Sequence, residues 1–255
     1  MTRRAATLPA ALLLLTLAGP ALAAPGTEAD SLRTLPHHES FVARHDVALA
    51  FAATAGVLLV SVADRNISNE APESNSSFAR SFAHGAEHGG NPLTIAPLLG
   101  AAWLAGKVTD HPGVSASSLR IAGGIAASAA VSGGIKYVAG RSRPNETPGD
   151  ADEFRAFSGH TAFPSGHTTV AFSLASGIDH ETSARWVPFV VYPLAGIVGW
   201  SRLRDNRHWA SDVLAGALVG TWTTHKFQVM VNGHGQPARL SLDVAPGAAA
   251  ATYRF

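Results

Sequence analysis

With 255 residues, 46% of them apolar and 15% charged, the chain is long enough to bury one sizeable core and is more apolar than an average soluble domain. A net charge of +1 leaves no broad cationic face for nucleic acid. The absence of cysteine removes disulfides, thiolate metal sites and cysteine nucleophiles together.

Taken in chain order, Arg3 and Arg4 give a basic start, Ala10 to Gly19 a Leu/Ala-rich run, and Ala21-Leu22-Ala23 a small-x-small cleavage pattern. This predicts a signal peptide over residues 1–23 and an exported protein, periplasmic or otherwise extracytoplasmic. Residues 24–45 read as a leader. Six apolar segments follow, at about 46–63, 92–107, 117–139, 167–179, 187–200 and 209–226, separated by Gly-, Pro-, Asn- and Ser-rich stretches. They are Ala- and Leu-rich and at least three turns long, so each is read as a helix, with Asp46, Ser118 and Ser211 as N-caps or first-turn residues. The sum is an all-α helical domain over 46–228, a bundle of about six helices. The tail, 229–255, alternates apolar and polar residues around Ala245-Pro246-Gly247 and predicts a small β-hairpin.

A membrane span needs roughly 20 apolar residues. Within the apolar segments the longest charge-free run, Val47–Ala63, has 17, and Ile121–Ile135 has 15. On length the bundle reads as soluble or attached to a membrane surface rather than spanning it.

Three short stretches gather polar residues that an apolar helical protein would otherwise avoid: Lys136 to Pro144, Phe163 to Thr168, and Ser201 to Asp212. Lys136, Arg143 and Arg202 lie at ends of apolar segments, where an unpaired cation is costly to bury. A phosphate would compensate them, because guanidinium forks match its oxygens two at a time. Pro164-Ser165-Gly166-His167 has the make-up of a helix start, whose free amides and positive dipole end favour an anion. His208 and Asp212, four apart, would share a helix face and hydrogen-bond, leaving one imidazole nitrogen as a nucleophile.

In sequence order these are Lys-x6-Arg-Pro, Pro-Ser-Gly-His and Ser-Arg-x5-His-x3-Asp, with all eleven positions filled. The chain therefore resembles the type-2 phosphatidic acid phosphatase superfamily, which takes in bacterial class A acid phosphatases, lipid phosphate phosphatases and vanadium haloperoxidases. The resemblance implies that Lys136, Arg143 and Arg202 bind phosphoryl oxygens, helped by Ser165 and the Gly166 amide. It implies that His208 attacks phosphorus, Asp212 orients His208, and His167 protonates the leaving oxygen. The expected activity is that of a phosphatase without metal or other cofactor, acting on phosphomonoesters, lipid phosphates or diphosphates, with vanadate binding as a phosphate mimic. The alternatives are a vanadium-dependent haloperoxidase and a non-catalytic anion- or lipid-binding protein. A neutral His208 and a protonated His167 are both needed, so a bell-shaped pH profile with an optimum on the acid side is expected.

Other polar residues are less pointed. His84 and His88, at i and i+4, offer two metal ligands, but no HExxH pattern or evident third ligand accompanies them. Arg141, Arg204 and Arg207 would either widen the anion site, meet headgroups or be solvated. His160 would either touch substrate or sit on a surface loop. Asn66, Asn75 and Asn145 stand in glycosylation-type triplets.

Overall fold

The structure is a computed structural model that describes residues 44–70, 77–147, 150–151, 153–232, 239–245 and 248–254. The signal peptide, most of the leader and Asn75 lie outside the described residues. Among those described are seven α-helices: α1 (Arg44–Glu70), α2 (Ser77–Glu87), α3 (Pro92–Val108), α4 (Pro112–Ala139), α5 (Gly166–Glu181), α6 (Pro188–Arg204) and α7 (Ala210–Asn232). The all-α expectation holds, and each of the six apolar segments is a helix. The seventh, α2, has only two Phe and is otherwise small or polar, so its run of apolar residues is too short to stand out. It packs through Phe82, whose ring lies 6.2 Å from that of Trp200 on α6.

Local chemistry sets the helix ends. The Asn91 side chain accepts from the amide of Leu93 ahead of Pro92, capping α3. α4 begins at Pro112 rather than near Ser118. Pro suits the first helical turn, which the search for a Ser cap overlooked; Ser118 is interior and donates to the Val114 carbonyl at 2.8 Å. α4 ends at Gly140, which is left-handed (φ 55°), and a Cβ there would lie 1.8 Å from the Arg155 carbonyl oxygen. Only glycine satisfies both conditions. At the C-terminus β1 (Arg239–Ala245) pairs antiparallel with β2 (Ala248–Arg254), with Leu240 opposite Tyr253 and Leu242 opposite Ala251. The expected hairpin is present.

The centre of the bundle is lined by small residues. α5 packs against α4, α6 and α7. A Cβ on Gly216 would lie 2.5 Å from the Ser165 carbonyl oxygen, and one on Gly220 2.4 Å from that of Thr169. These two glycines, four apart, let α5 and α7 touch backbone to backbone. Some buried hydroxyls find partners across the seam: Ser128 with Thr224 at 3.1 Å, and Ser173 with the Gly220 carbonyl at 3.3 Å.

Many large apolar side chains face outward instead. On α1, Phe51, Leu58, Leu59 and Val62 form one stripe, and Leu59 and Val62 are 75% and 84% exposed. The most apolar part of α1 has a mean hydropathy of 2.0 and is 6% buried; that of α4 has 1.3 and is 28% buried. Both helices are long and apolar enough to cross a membrane. In the sequence Asp64 ends the charge-free run, as a solvated carboxylate would end a span. In the structure Asp64 is fully buried in an ion pair, and the helix continues to Glu70. α1 is pinned to α7 near both ends, by Asp46 on Lys226 at 2.6 Å and by Asp64 on Ser211.

Candidate active site

The three motif stretches meet at one end of the bundle: the C-terminal end of α4, the N-terminal end of α5, and the turn from α6 into α7. Backbone bonds fix them to one another. The Ser165 amide donates to the Asp212 carbonyl at 2.9 Å, joining the second motif to the third. The Trp209 indole donates to the Ser142 carbonyl at 3.0 Å, joining the third to the first. Lys136 reaches over the α5 start: its Nζ donates to the carbonyls of Thr161, at 2.8 Å, and Pro164. Its Cε would lie 3.6 Å from a Cβ on Gly166. Arg143 donates to the Thr161 hydroxyl at 3.1 Å and is half-buried.

Ser165 and Gly166 open α5 as expected. The Ser165 hydroxyl is buried and accepts from Thr168 at 2.9 Å, which leaves its own proton free to donate. His167, in the first turn, is half-buried. Burial holds its imidazole well below the usual range, to about 4, reinforced by the cations Arg202 and Arg143 and the neighbouring His208, while Glu87 pulls upward. Arg202 is buried and already paired, with Glu87 at 2.5 Å and Asp205 at 3.1 Å.

His208 and Asp212 do not make the expected direct hydrogen bond. His208 precedes α7, and its Nδ1 is 3.7 Å from the Asp212 carboxylate, too long for such a bond. Nδ1–H instead donates to the Ala162 carbonyl at 2.8 Å, which fixes the tautomer and leaves Nε2 with its lone pair. Four-residue spacing does not bring the two together as on a helix face, because the helix starts two residues after His208. Asp212, third in α7, reaches back to the Trp209 amide at 2.9 Å, as a capping-box acid does. Burial lowers the His208 pKa; the Asp212 charge opposes this, and Lys136 and Arg143 add to it. His208 is therefore a neutral imidazole at neutral pH, with the Asp212 carboxylate 3.7 Å from its Nδ1.

What holds Asp212 is a pair of residues whose roles the sequence did not disclose. Arg141 is fully buried and donates to Asp212 Oδ1 at 2.5 Å, Asp64 Oδ2 at 2.8 Å, the Ser211 hydroxyl at 2.7 Å and the Ala151 carbonyl. Its guanidinium also lies 4.9 Å from the Phe154 ring centre and 5.5 Å from that of Trp209. Arg141 is thus no part of a widened anion site. Asp64, on α1, accepts from both the amide and the hydroxyl of Ser211. The signal available was the lone acid at the end of an apolar run. Arg204 is mostly buried, with Asp205 3.7 Å away, while Arg207 is exposed. His160 is 3.4 Å from Glu146.

Beside this site, between α2, α5 and α6, runs an apolar groove of about 600 Å³. Its walls include Phe82, Ala171, Leu174, Ile178, Leu194 and Val198. Ala171 and Val198 are each four residues, about 6 Å along a helix, from His167 and Arg202. The groove therefore begins next to the motif residues and leads away from them.

Comparison with known proteins gives matches in sequence and in fold. The PAP2 superfamily pattern matches residues 117–233. Over 87 residues, 33% of the chain, the sequence is 41% identical to a lipid A 1-phosphatase of Porphyromonas gingivalis, of which it covers 17%. Over 76 residues, 25% of the chain, it is 38% identical to lipid phosphate phosphatase 1 of Arabidopsis thaliana, of which it covers 23%. The chain thus spans about a fifth of the length of these curated relatives. Among solved structures, a transmembrane PAP2-type phosphatidylglycerolphosphate phosphatase from Bacillus subtilis superposes with a TM-score of 0.58 at 18% identity, over 71% of this chain and 95% of that one. At that identity the likeness concerns the fold.

Proposed function

From the match of residues 117–233 to the PAP2 superfamily pattern, we propose that this chain is an extracytoplasmic, membrane-attached phosphatase that hydrolyses lipid phosphate monoesters through a phosphohistidine on His208. The observation that supports the reading is that His208, its Nδ1 held by the Ala162 carbonyl, feels the charges of Lys136 and Arg143, and His167 those of Arg202 and Arg143, one helical turn from the start of an apolar groove. The phosphoryl group lies against the three cations, Ser165 and the α5 amides, where charge on its equatorial oxygens is stabilised. Nε2 of His208 forms a bond to phosphorus as the bond to the ester oxygen breaks. His167 gives its proton to that oxygen. Water then attacks phosphorus, His167 takes up its proton, and the N–P bond breaks to release phosphate. Asp212 stabilises the imidazolium form of His208 during both steps.

His167 carries too little proton near neutrality when the pocket is empty. A bound phosphate dianion raises its pKa and so readies the acid only when substrate is present. The fixed cations supply the charge stabilisation, so the chemistry is expected to need no metal. The groove takes an acyl chain, the relatives named above act on lipid phosphates by name, and the outward apolar face of α1 suits a bilayer.

The test compares an aryl phosphate with a long-chain lipid phosphate in detergent and excess chelator, for the full chain and for His208→Ala. Expected are turnover of both esters, higher kcat/KM for the lipid, inhibition by vanadate, and loss of at least a thousandfold in the variant. Retained turnover in His208→Ala overturns the mechanism; no preference for the lipid overturns the substrate.

A further inference from the structure

The last turn of α2 and the 3-10 turn that follows it, His88–Gly90, carry a cluster that the proposed reaction does not use. His84, Glu87 and His88 occupy positions i, i+3 and i+4, and one ligand atom from each lies within 4.8 Å of the others. His84 Nδ1 is 3.1 Å from Glu87 Oε1, and the two imidazole rings stand edge-on with centres 5.4 Å apart. The third ligand that the two histidines lacked in sequence terms is the carboxylate between them. Tetrahedral donors about 2.0–2.1 Å from an ion lie roughly 3.4 Å apart, so no separation in the cluster needs to shorten by more than about 1.4 Å. The His84 side chain is 75% exposed and free to turn. Two imidazoles and a carboxylate suit a borderline ion of the zinc or cobalt kind and leave one coordination position open.

The cluster also borders the phosphoryl pocket. The second oxygen of Glu87 accepts from Arg202 at 2.5 Å. Two residues past His88, Gly90 packs so closely on α5 that a Cβ would meet the His167 carbonyl oxygen at 2.3 Å. One carboxylate therefore faces the histidine pair with one oxygen and a pocket arginine with the other.

We propose that His84, Glu87 and His88 bind a divalent first-row transition ion at the rim of the phosphoryl pocket, and that Glu87 couples this ion to Arg202. Without the ion, Glu87 and Asp205 both counter Arg202, and an incoming phosphate must compete with the two carboxylates. With the ion bound, the Glu87 charge is drawn to the metal, and Arg202, left with Asp205 alone, attracts the anion more strongly. The ion and the phosphoryl group then strengthen each other's binding by the same factor. The ion takes no part in bond making, so turnover persists in chelator with a raised KM. The coupling rests on Arg202 being a phosphoryl ligand; the binding of the ion does not.

The test titrates untagged, full-length, metal-free protein with Co²⁺, read by its visible absorption, with and without orthovanadate. One equivalent is expected to bind, at least tenfold more weakly in His84→Ala/His88→Ala. Vanadate is expected to tighten Co²⁺ by roughly fivefold or more, the low end of typical coupling, and Glu87→Gln to abolish that gain. Equal Co²⁺ binding by the histidine variant, or no cobalt spectrum, overturns the site. If Co²⁺ and vanadate both bind but ignore each other, the coupling is overturned. If vanadate fails to bind at all, the phosphatase reading and the coupling fall together, while the Co²⁺ titration still decides the site.

Discussion

Replacing Arg141 with Met removes a charge that nothing else in its surroundings can replace. The guanidinium makes five hydrogen bonds, and it is the shared cation for Asp64 and Asp212, both fully buried. Met fills most of the same volume, so the expected loss comes from stranded carboxylates and not from a cavity. Breaking a buried pair by removing one partner costs about 3–5 kcal/mol. For a domain of this size that corresponds to a fall in Tm of about 6–20 °C. The assay is thermal unfolding of the full chain in detergent, followed by far-UV circular dichroism, with the exposed Arg207→Met as control. Asp64→Asn, which keeps an oxygen acceptor for Arg141 and Ser211 while removing one negative charge, should lose less than Arg141→Met. An Arg141→Met protein that melts within 2 °C of the parent would refute the idea that this cation holds the centre together.

The depressed imidazoles set the pH behaviour. Because His167 titrates near 4 in the empty pocket and His208 is also lowered, kcat/KM should peak on the acid side and decline toward alkaline pH, whereas the kcat profile, reporting the substrate-bound form, should lie further to the alkaline side. Folded pKa values below the unfolded 6.5 mean that stability is complete above that pH and falls as the solution is acidified through it, which denaturant titrations at pH 7 and 5 will register. Leu194→Asp, placing a charge on the exposed wall of the groove, should raise KM for a long-chain lipid phosphate and leave an aryl phosphate unaffected. Gly220→Ala puts a methyl within 2.4 Å of the Thr169 carbonyl oxygen and should cost about 1–3 kcal/mol in unfolding experiments.

The sequence disclosed the parts of the site whose chemistry is local. Lys136, Arg143, His167, Arg202 and His208 stand out because cations and imidazoles are conspicuous at the ends of apolar helices, and the structure brings these stretches together at one end. Asp64 and the role of Arg141 were not legible, because they depend on a contact between residues 147 apart, Asp64 and Ser211. No periodicity records such a pairing. α2 escaped because one helix face of Phe and small residues produces no apolar run. The His208–Asp212 geometry was misjudged for a narrower reason: four-residue spacing implies a shared face only inside a helix, and the helix begins at Ala210. The outward apolar face of α1 was hidden by counting Asp64 as solvated.

That same carboxylate has a consequence for how the protein comes into being. Asp64 belongs to the first helix, while the Ser211 and Asp212 it helps to hold belong to the last. During synthesis some 150 residues emerge between them, so the centre stays unformed until the final helix has docked on the first. A nascent or truncated chain that already exposes Lys136, Arg143 and His167 would have no ordered nucleophile. The proposed nucleophile thereby becomes ordered only at the last step of assembly.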